Sequence, residues 1–310
     1  MQINYLAPLS NAWNRMQKAL FKPFDIKKWF VLGFTAFLSN LLDFEGGSSA
    51  HDESRSGDLA DILEMPHEAW QWIEMNPEWT TLIIVGVILI IGLVILLTWL
   101  SSRGKFMFLD NVVHNRALVK KPWAEYAGIA KSLFLWRLGF GLVGALIIGS
   151  YLSYIYVEIY DMYYANAQDS EMIFAAIRMG IFFLIIAIVF VYISLFLNDF
   201  VVPLMYKNNS SVWIGWSHFM PLLQQNLVYF FLYSLFILFI YILVVIVVVA
   251  IGFLTCCVGF IMLAIPYIGS VIILPVSFVF RALSVAFLEQ FGEQYKIFPE
   301  NDAALETSSE

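Results

Sequence analysis

Charged side chains are missing from a long part of this chain. From residue 219 to residue 280, a stretch of 62 positions contains no Asp, Glu, Lys, Arg or His. A membrane-spanning helix needs only about 20 apolar residues, so this stretch must cross a bilayer more than once. Of all 310 residues only 13% are charged and 61% are hydrophobic, which leaves too little polar surface for a water-soluble globule. The sequence therefore predicts a polytopic, all-α membrane protein.

Cysteine is also scarce, and recognisable catalytic motifs are missing. Cys256 and Cys257 are neighbours in the chain, and such a pair seldom forms a disulfide because the bond would be strained. No His-Glu-x-x-His, Gly-x-Ser-x-Gly or glycine-rich phosphate loop occurs. The net charge of −7 argues against a nucleic-acid partner, which would require clustered Lys and Arg. We therefore expect a protein that is not an enzyme and that has no cofactor, no metal and no nucleic-acid partner.

Six segments have the composition of transmembrane helices. They cover residues 26–44, 80–100, 135–157, 175–198, 227–251 and 258–281. The uncharged run of the first segment, Trp29–Leu42, is short, so its helix must tilt or include flanking residues. We expect one membrane domain over residues 1–298, with an acidic outer loop at 45–79. The polar residues 299–310 are predicted to be a disordered cytoplasmic tail.

The distribution of basic residues predicts the orientation, because Lys and Arg favour cytoplasmic loops. Basic residues are concentrated before the first segment and between the second and third segments. By contrast, the stretch from Asp43 to Glu78 has ten acidic residues and a single basic one, Arg55. These loops place both the N-terminus and the C-terminus in the cytoplasm.

The predicted spans fall into three similar units. An amphipathic segment with tryptophan precedes each odd-numbered span, around Trp13, Trp123 and Trp213, as expected for a helix lying in the membrane interface. Each such segment is followed by a hairpin of two spans. We interpret this as three copies of an interfacial helix plus a hairpin. The alternative is convergence, because any hairpin that returns to the cytoplasm favours aromatic, apolar and acidic residues in that order.

A carboxylate ends each even-numbered span: Asp110 after span two, Asp199 after span four and Glu289 after span six. A partly buried carboxylate needs a partner, since burying it alone would cost several kcal/mol. We expect all three at one depth on the cytoplasmic side. Each should be reached by a Lys, Arg, Trp or backbone N–H from a neighbouring unit.

Several of these residues also resemble a known family. They are Leu20–Asp25 with Trp29, Asp199–Tyr206 with Trp216, Ile265–Gly269 with Arg281, and Phe287–Gly292. This pattern resembles a prokaryotic family of multi-pass membrane proteins of unknown function, which is distantly similar to the membrane domain of some glycerophosphodiester phosphodiesterases. The resemblance implies the fold and the plasma (inner) membrane of a prokaryote. It does not imply phosphodiesterase activity, because the sequence contains no soluble catalytic domain.

Small residues and isolated charges are the remaining candidates for packing or binding. Gly141, Ala145, Gly149 and Ser153 recur every four residues on span three, which favours close helix packing within the bundle or, as an alternative, a homodimer face. Arg137 and Arg178 lie near span ends, where they either extend to the headgroups or bind a ligand phosphate or a buried carboxylate. Arg281 is a further polar candidate.

These features favour a non-enzymatic integral membrane protein that binds membrane lipids or a protein partner, which includes a homo-oligomer. The alternative is a transporter or channel for a small or lipid-like solute, favoured by prolines 266 and 275 in the last span. A polar cluster near the centre of the membrane is usual in transporters, and the span centres here are Val, Ile, Leu and Phe.

Overall fold

The structure, a computed structural model, describes residues 3–42, 59–165, 167–255 and 258–299. These residues form helices and turns without any β-strand, which confirms the predicted all-α class. In chain order the α-helices of the described residues are α1 (Leu6–Leu20), α2 (Ile26–Ser39), α3 (Leu59–Met75), α4 (Pro77–Val113), α5 (Lys120–Glu125), α6 (Ala127–Tyr164), α7 (Asp169–Phe196), α8 (Val202–Asn208), α9 (Val212–Gln225), α10 (Leu227–Leu254), α11 (Val258–Ala264), α12 (Pro266–Ile272) and α13 (Leu274–Glu289). A π-helical turn, Leu197–Val201, joins α7 to α8, and a short 3₁₀ turn covers Glu293–Tyr295.

Four helices in the described part of the chain are long and apolar enough to cross a membrane. They are α4, α6, α10 and the continuous helix Ser170–Asn208, which contains most of α7, the π-helical turn and α8. A fifth candidate is the pair α12 and α13, if the two helices count as one span despite the 65° bend between them. The chain is therefore a multi-pass membrane protein.

The first and last predicted spans differ from the helices that form. Helix α2 has 14 residues, which corresponds to about 21 Å, shorter than the ~30 Å hydrocarbon core. The last predicted span is divided into α11, α12 and α13. Ile265 has an extended backbone (φ −78°, ψ 113°) because the ring of the following Pro266 disfavours a helical conformation there.

The segments outside the predicted spans are partly helical. All three tryptophan-bearing segments form helices, α1, α5 and α9, although α5 has only 6 residues. The predicted acidic loop contains α3 and the start of α4. Residues 43–58 of that loop, and the predicted tail from residue 300 onward, lie outside the described residues.

The chain divides into two compact units. The first unit consists of residues 1–43, 98–136 and 193–310, and the second of residues 44–97 and 137–192. Buried aromatic side chains dominate one core cluster of the first unit, in which the Phe200 ring stacks on Phe219 at 5.3 Å and meets Phe230 edge-on at 4.9 Å. A second cluster of that unit packs α1 and α2 against α13.

A close helix crossing in the first unit depends on one glycine. A Cβ added at Gly104 of α4 would lie 2.4 Å from the backbone carbon of Leu38 and 2.5 Å from the backbone nitrogen of Ser39. One turn earlier on α4, the Ser101 hydroxyl donates a hydrogen bond of 2.9 Å to the Ser39 carbonyl. Only a residue without a side chain fits at this crossing of α4 and the end of α2.

Candidate functional site

Asp110 forms a buried ion pair in the first unit. It lies in the last turn of α4 and is fully buried. Arg116, in the turn after α4, donates from Nε at 3.0 Å and from Nη2 at 2.7 Å to the two oxygens of this carboxylate. Such bidentate pairing is among the strongest hydrogen-bonded arrangements available to a carboxylate.

Two tyrosine hydroxyls complete the surroundings of Asp110. Tyr126 donates to Asp110 Oδ1 at 3.1 Å, and Tyr206 donates to the same oxygen at 2.9 Å. Hydrogen bonding to Asp110 raises the pKa of Arg116 above its ordinary value, and burial raises the pKa of Tyr126 to about 12. Since Arg116 and the two hydroxyls already occupy the carboxylate oxygens, Asp110 is suited to holding segments together rather than to accepting a proton from a substrate.

Asp199 and Arg281 lie around the π-helical turn. The Tyr233 hydroxyl of α10 donates to Asp199 Oδ2 at 2.9 Å. Arg281 of α13 is buried, and its Nη1 donates to the Asn198 carbonyl at 2.7 Å. A π-helical turn widens the backbone and often marks a functional position. Here it presents two neighbouring residues to two other helices.

Glu289 is held by the chain that follows it. One of its oxygens, Oε1, accepts hydrogen bonds from the backbone N–H groups of Ile297 and Phe298, each at 2.7 Å. The Arg15 guanidinium of α1 lies 3.7 Å from the centre of the Phe298 ring. The segment after α13 therefore joins Glu289 to the first helix.

All three carboxylates have the partners that burial requires, but not all of the expected kinds. Arg116 and the backbone N–H groups of Ile297 and Phe298 are donors of the expected kinds, but they follow their own carboxylate in the chain and do not come from the interfacial helix of a neighbouring repeat. The tyrosine hydroxyls of Tyr126, Tyr206 and Tyr233 were not expected. Tyr206 is separated from Asp110 by 96 positions, so no local pattern could have linked the two. The apolar motif that contains Tyr206 was the only available signal.

A side-chain amide next to two of the carboxylates binds the chain just before a tryptophan-bearing helix. Asn111 accepts a hydrogen bond from the Leu118 N–H at 2.9 Å and donates to the Leu118 carbonyl at 3.0 Å, two positions before α5. Gln290 likewise accepts from the Asn4 N–H and donates to its carbonyl, both at 2.9 Å, two positions before α1. The same contact thus occurs twice at matching positions of the chain.

The small-residue stripe of α6 does not pack against the other described helices of the second unit. Gly141, Ala145, Gly149 and Ser153 are all exposed, and no atom lies within 4 Å of a Cβ added at Gly141 or Gly149. The glycine of α6 that does pack is Gly144, whose added Cβ would lie 2.9 Å from the Phe190 ring of α7. The stripe is therefore not the face by which α6 contacts α7, and the alternative of a homodimer face stays a prediction, because spacing alone does not show which face a neighbour covers.

A groove of about 820 Å³ lies between α6 and α7 in the second unit. Its base is formed by Tyr151 and Met179, both buried, with a 2.6 Å hydrogen bond from the Tyr151 hydroxyl to the Met179 carbonyl. Exposed apolar side chains, Phe174, Ile181 and Phe182, form its walls. The volume lies in the ~300–1,000 Å³ range of small-molecule sites. We call this feature the Tyr151 groove.

One cation lies at the Tyr151 groove. Arg178 of α7 contributes to its lining, and its Nη2 forms an ion pair with Glu158 of α6. The Arg178 side chain is 66% exposed, whereas that of Glu158 is only 20% exposed. Glu158 therefore fixes the position of the guanidinium while most of it stays accessible. Arg137, the other arginine candidate of this unit, is partly buried on α6 and does not line the groove.

Metal binding finds no support in the described residues, where no group of three or more His, Cys, Asp or Glu side chains could hold an ion. His114 does come within 3.3 Å of Asp110 Oδ1, but the pair has no third ligand of that kind in the part of the chain that the structure describes.

Comparison with known proteins identifies a family and no activity. Neither the curated proteins nor the solved structures contain a match to this chain. A family described only as of unknown function, DUF7544, matches residues 4–292, and this match gives no support to the distant similarity with phosphodiesterase membrane domains. Because the match covers nearly all of the 310 residues, the chain belongs to the DUF7544 family of unknown function.

Proposed function

We propose that this protein is a non-enzymatic membrane protein that binds a phospholipid in the Tyr151 groove. The observation that carries the proposal is the pairing of an apolar groove with a single accessible cation. The groove walls are exposed apolar side chains of two helices long enough to span a bilayer. An acyl chain that fills the groove would exchange contact with bulk lipid for contact with Phe174, Ile181 and Phe182.

Arg178 supplies the polar part of this site. A guanidinium binds phosphate oxygens through two parallel hydrogen bonds, and Glu158 already restricts its position. The arginine lies nine residues into α7, near the end of the helix that we predict to face outward. A lipid phosphate at the membrane surface and an acyl chain extending inward would match the order of polar and apolar groups along the groove.

A steric test separates the groove from other surfaces of the same helix. Ile181→Trp places a large ring in the groove, whereas Leu184→Trp places it on a residue of α7 that is also exposed but does not line the groove. In native mass spectrometry of the purified protein, we expect the wild type and Leu184→Trp to retain one phospholipid and Ile181→Trp to lose it. Equal retention by all three would contradict the proposal.

A charge test then examines Arg178. Removing a hydrogen bond to a charged group costs about 1.5–3 kcal/mol, so Arg178→Gln should weaken phospholipid binding about tenfold or more. The double variant Arg178→Gln/Glu158→Gln should bind equally weakly, which excludes repulsion by the unpaired Glu158 as the cause. Lys131→Gln, which removes one exposed charge elsewhere on α6, should leave binding unchanged.

We also propose six spans with both ends in the cytoplasm of a prokaryotic cell. The contacts of the first unit support this topology, because Asn4 meets Gln290 and Lys207 donates to the Gln294 carbonyl at 2.6 Å. These residues belong to the segments that we predict on the cytoplasmic side. The matching contacts of Asn111 and Gln290 support the three sequence repeats, each an interfacial helix plus a hairpin. Each contact joins the end of one repeat to the start of another.

A transporter or channel is the second candidate function. The 65° bend between α12 and α13 supports it, because discontinuous helices of transporters expose backbone groups to a substrate or ion. Uptake of ions or small solutes by proteoliposomes containing the purified protein would favour this candidate. Absence of flux, together with a retained lipid, would favour the binding function.

A further inference from the structure

A basic pocket in the first unit lies apart from the Tyr151 groove. Its volume is about 370 Å³, and it is formed by the first turns of α2 and the turn that follows α4. Three basic side chains, Lys27, Lys28 and Arg116, line it together with a single acidic one, Asp25. Because Asp110 pairs with Arg116, the three basic groups face two acidic ones, and the remaining excess of one positive charge favours an anion.

Two of the three basic side chains of the pocket, Lys28 and Arg116, are held in place by their neighbours, and the exposed Lys27 side chain lies beside them. Lys28 Nζ donates to Asn115 Oδ1 at 2.8 Å. Arg116 uses Nε and Nη2 for Asp110, which leaves Nη1 as the nitrogen that a ligand can engage. Asp25 accepts a hydrogen bond from the Lys27 N–H at 2.8 Å, so its charge is directed partly toward the backbone of α2. The pocket therefore presents ammonium and guanidinium groups with restricted positions.

Exposed apolar side chains surround these cations in the chain. Phe24 and Ile26 are each 60% exposed, and Phe30 is 44% exposed. Lysines next to exposed aromatic and aliphatic side chains are typical of segments that lie in a membrane interface. A free anion would leave these apolar side chains exposed to water, whereas the hydrocarbon layer around a bound lipid would cover them.

We propose that the basic pocket binds the headgroup phosphate of an anionic phospholipid. Lys27, Lys28 and Arg116 Nη1 would contact the phosphate, while Phe24, Ile26 and Phe30 extend into the surrounding acyl chains. The site differs from the Tyr151 groove in position, in charge and in lipid selectivity, so either can exist without the other. On the predicted topology it selects lipids of the cytoplasmic leaflet, where anionic headgroups attract basic segments.

The test compares two pairs of lysines. The full-length protein is titrated with phosphatidylglycerol or phosphatidylcholine, and bound lipid is counted by native mass spectrometry. A lysine that contacts the headgroup phosphate contributes about fivefold to binding of anionic lipid. We therefore expect Lys27→Gln/Lys28→Gln to weaken phosphatidylglycerol binding about 25-fold and to leave phosphatidylcholine binding unchanged. Lys120→Gln/Lys121→Gln, which removes two exposed lysines outside the pocket, should bind phosphatidylglycerol like the wild type.

Two further measurements keep the result decisive. Lys27 is exposed, so Lys27→Gln alone should fold normally and show about a fivefold loss, even where the double variant proves unstable. Inorganic phosphate at millimolar concentration should not displace the lipid. The proposal is overturned by equal losses in the two lysine pairs, by a wild type without preference for phosphatidylglycerol, or by full competition from inorganic phosphate.

Discussion

Asp110 shows how a single buried charge organises its surroundings. Its carboxylate binds Arg116 from the turn after α4, Tyr126 from the turn before α6, and Tyr206 from α8. A buried carboxylate with this many donors is stable only while the donors stay in place, since each lost partner exposes the cost of burying the charge. Asp110 therefore joins two segments that closely follow it in sequence to α8, which is 96 positions away.

We expect Asp110→Asn to be strongly destabilising. Breaking a fully buried ion pair costs about 3–5 kcal/mol, and we expect a value near the lower end, about 3 kcal/mol, because the Arg116 guanidinium that loses its counter-charge is 28% exposed to solvent. The loss should appear as a lower free energy of unfolding in detergent. Tyr206→Phe, which removes only one hydroxyl donor, should cost about 1.5–3 kcal/mol. The matched control is Glu171→Gln on α7, an exposed carboxylate, for which we expect no measurable change. A stable Asp110→Asn protein would mean that the pair contributes specificity rather than stability.

At the scale of helices, two helices can approach closely where a glycine of one helix faces the backbone of the other. Gly104 of α4 faces the backbone of Leu38 and Ser39, whereas Gly149 of α6 faces open space. Both are helical glycines, and the spacing of small residues favoured the second, whereas Gly104 stands between Arg103 and Lys105. The structure reverses that preference.

The same substitution at these two positions should have opposite effects. Gly104→Ala would force backbone atoms apart at the crossing of α4 with α2, and overpacking of this kind costs about 1–3 kcal/mol or more. Gly149→Ala should stabilise α6 by up to about 1 kcal/mol, because alanine is the better helix former. Thermal unfolding in detergent should therefore lower the Tm of Gly104→Ala and preserve or raise that of Gly149→Ala. Similar decreases in both variants would show that the stripe of α6 is covered in the native protein.

At the scale of the whole molecule, the number of crossings depends on α2. Its 14 residues are few for a complete crossing, but the distribution of Lys and Arg predicts that the chain changes sides between the N-terminal segment and α3. A helix that only enters the bilayer and returns would leave both segments on one side. The two possibilities predict different sides of the membrane for α3.

Cysteine labelling decides between them. In a background with Cys256 and Cys257 replaced by Ala, single cysteines are placed at three exposed positions, Lys22, Glu68 and Lys121. With six spans we expect a membrane-impermeant maleimide to label Glu68→Cys in intact cells, and Lys22→Cys and Lys121→Cys only after permeabilisation. Labelling of Lys22→Cys and Glu68→Cys from the same side would show that α2 does not cross.

The sequence by itself determined the class of this protein and the composition of its spans. A run of 62 uncharged positions permits only membrane helices, because hydrocarbon requires every backbone group to be hydrogen-bonded within the segment. Whether the last span is continuous or broken at Pro266 was left open by the sequence, although proline restricts the residue before it. These properties are local, and a pattern of neighbouring residues is enough to specify them.

Only the tertiary structure decided which residues come together. Asp110 meets Tyr206 across 96 positions, Gln290 meets Asn4 across 286, and the Tyr151 groove exists because two helices leave a space between them. Side-chain type predicted that the carboxylates need donors, but not that tyrosines would provide them. Pairing across such distances depends on how helices cross, and helix crossings depend on the shapes of all the packed side chains at once.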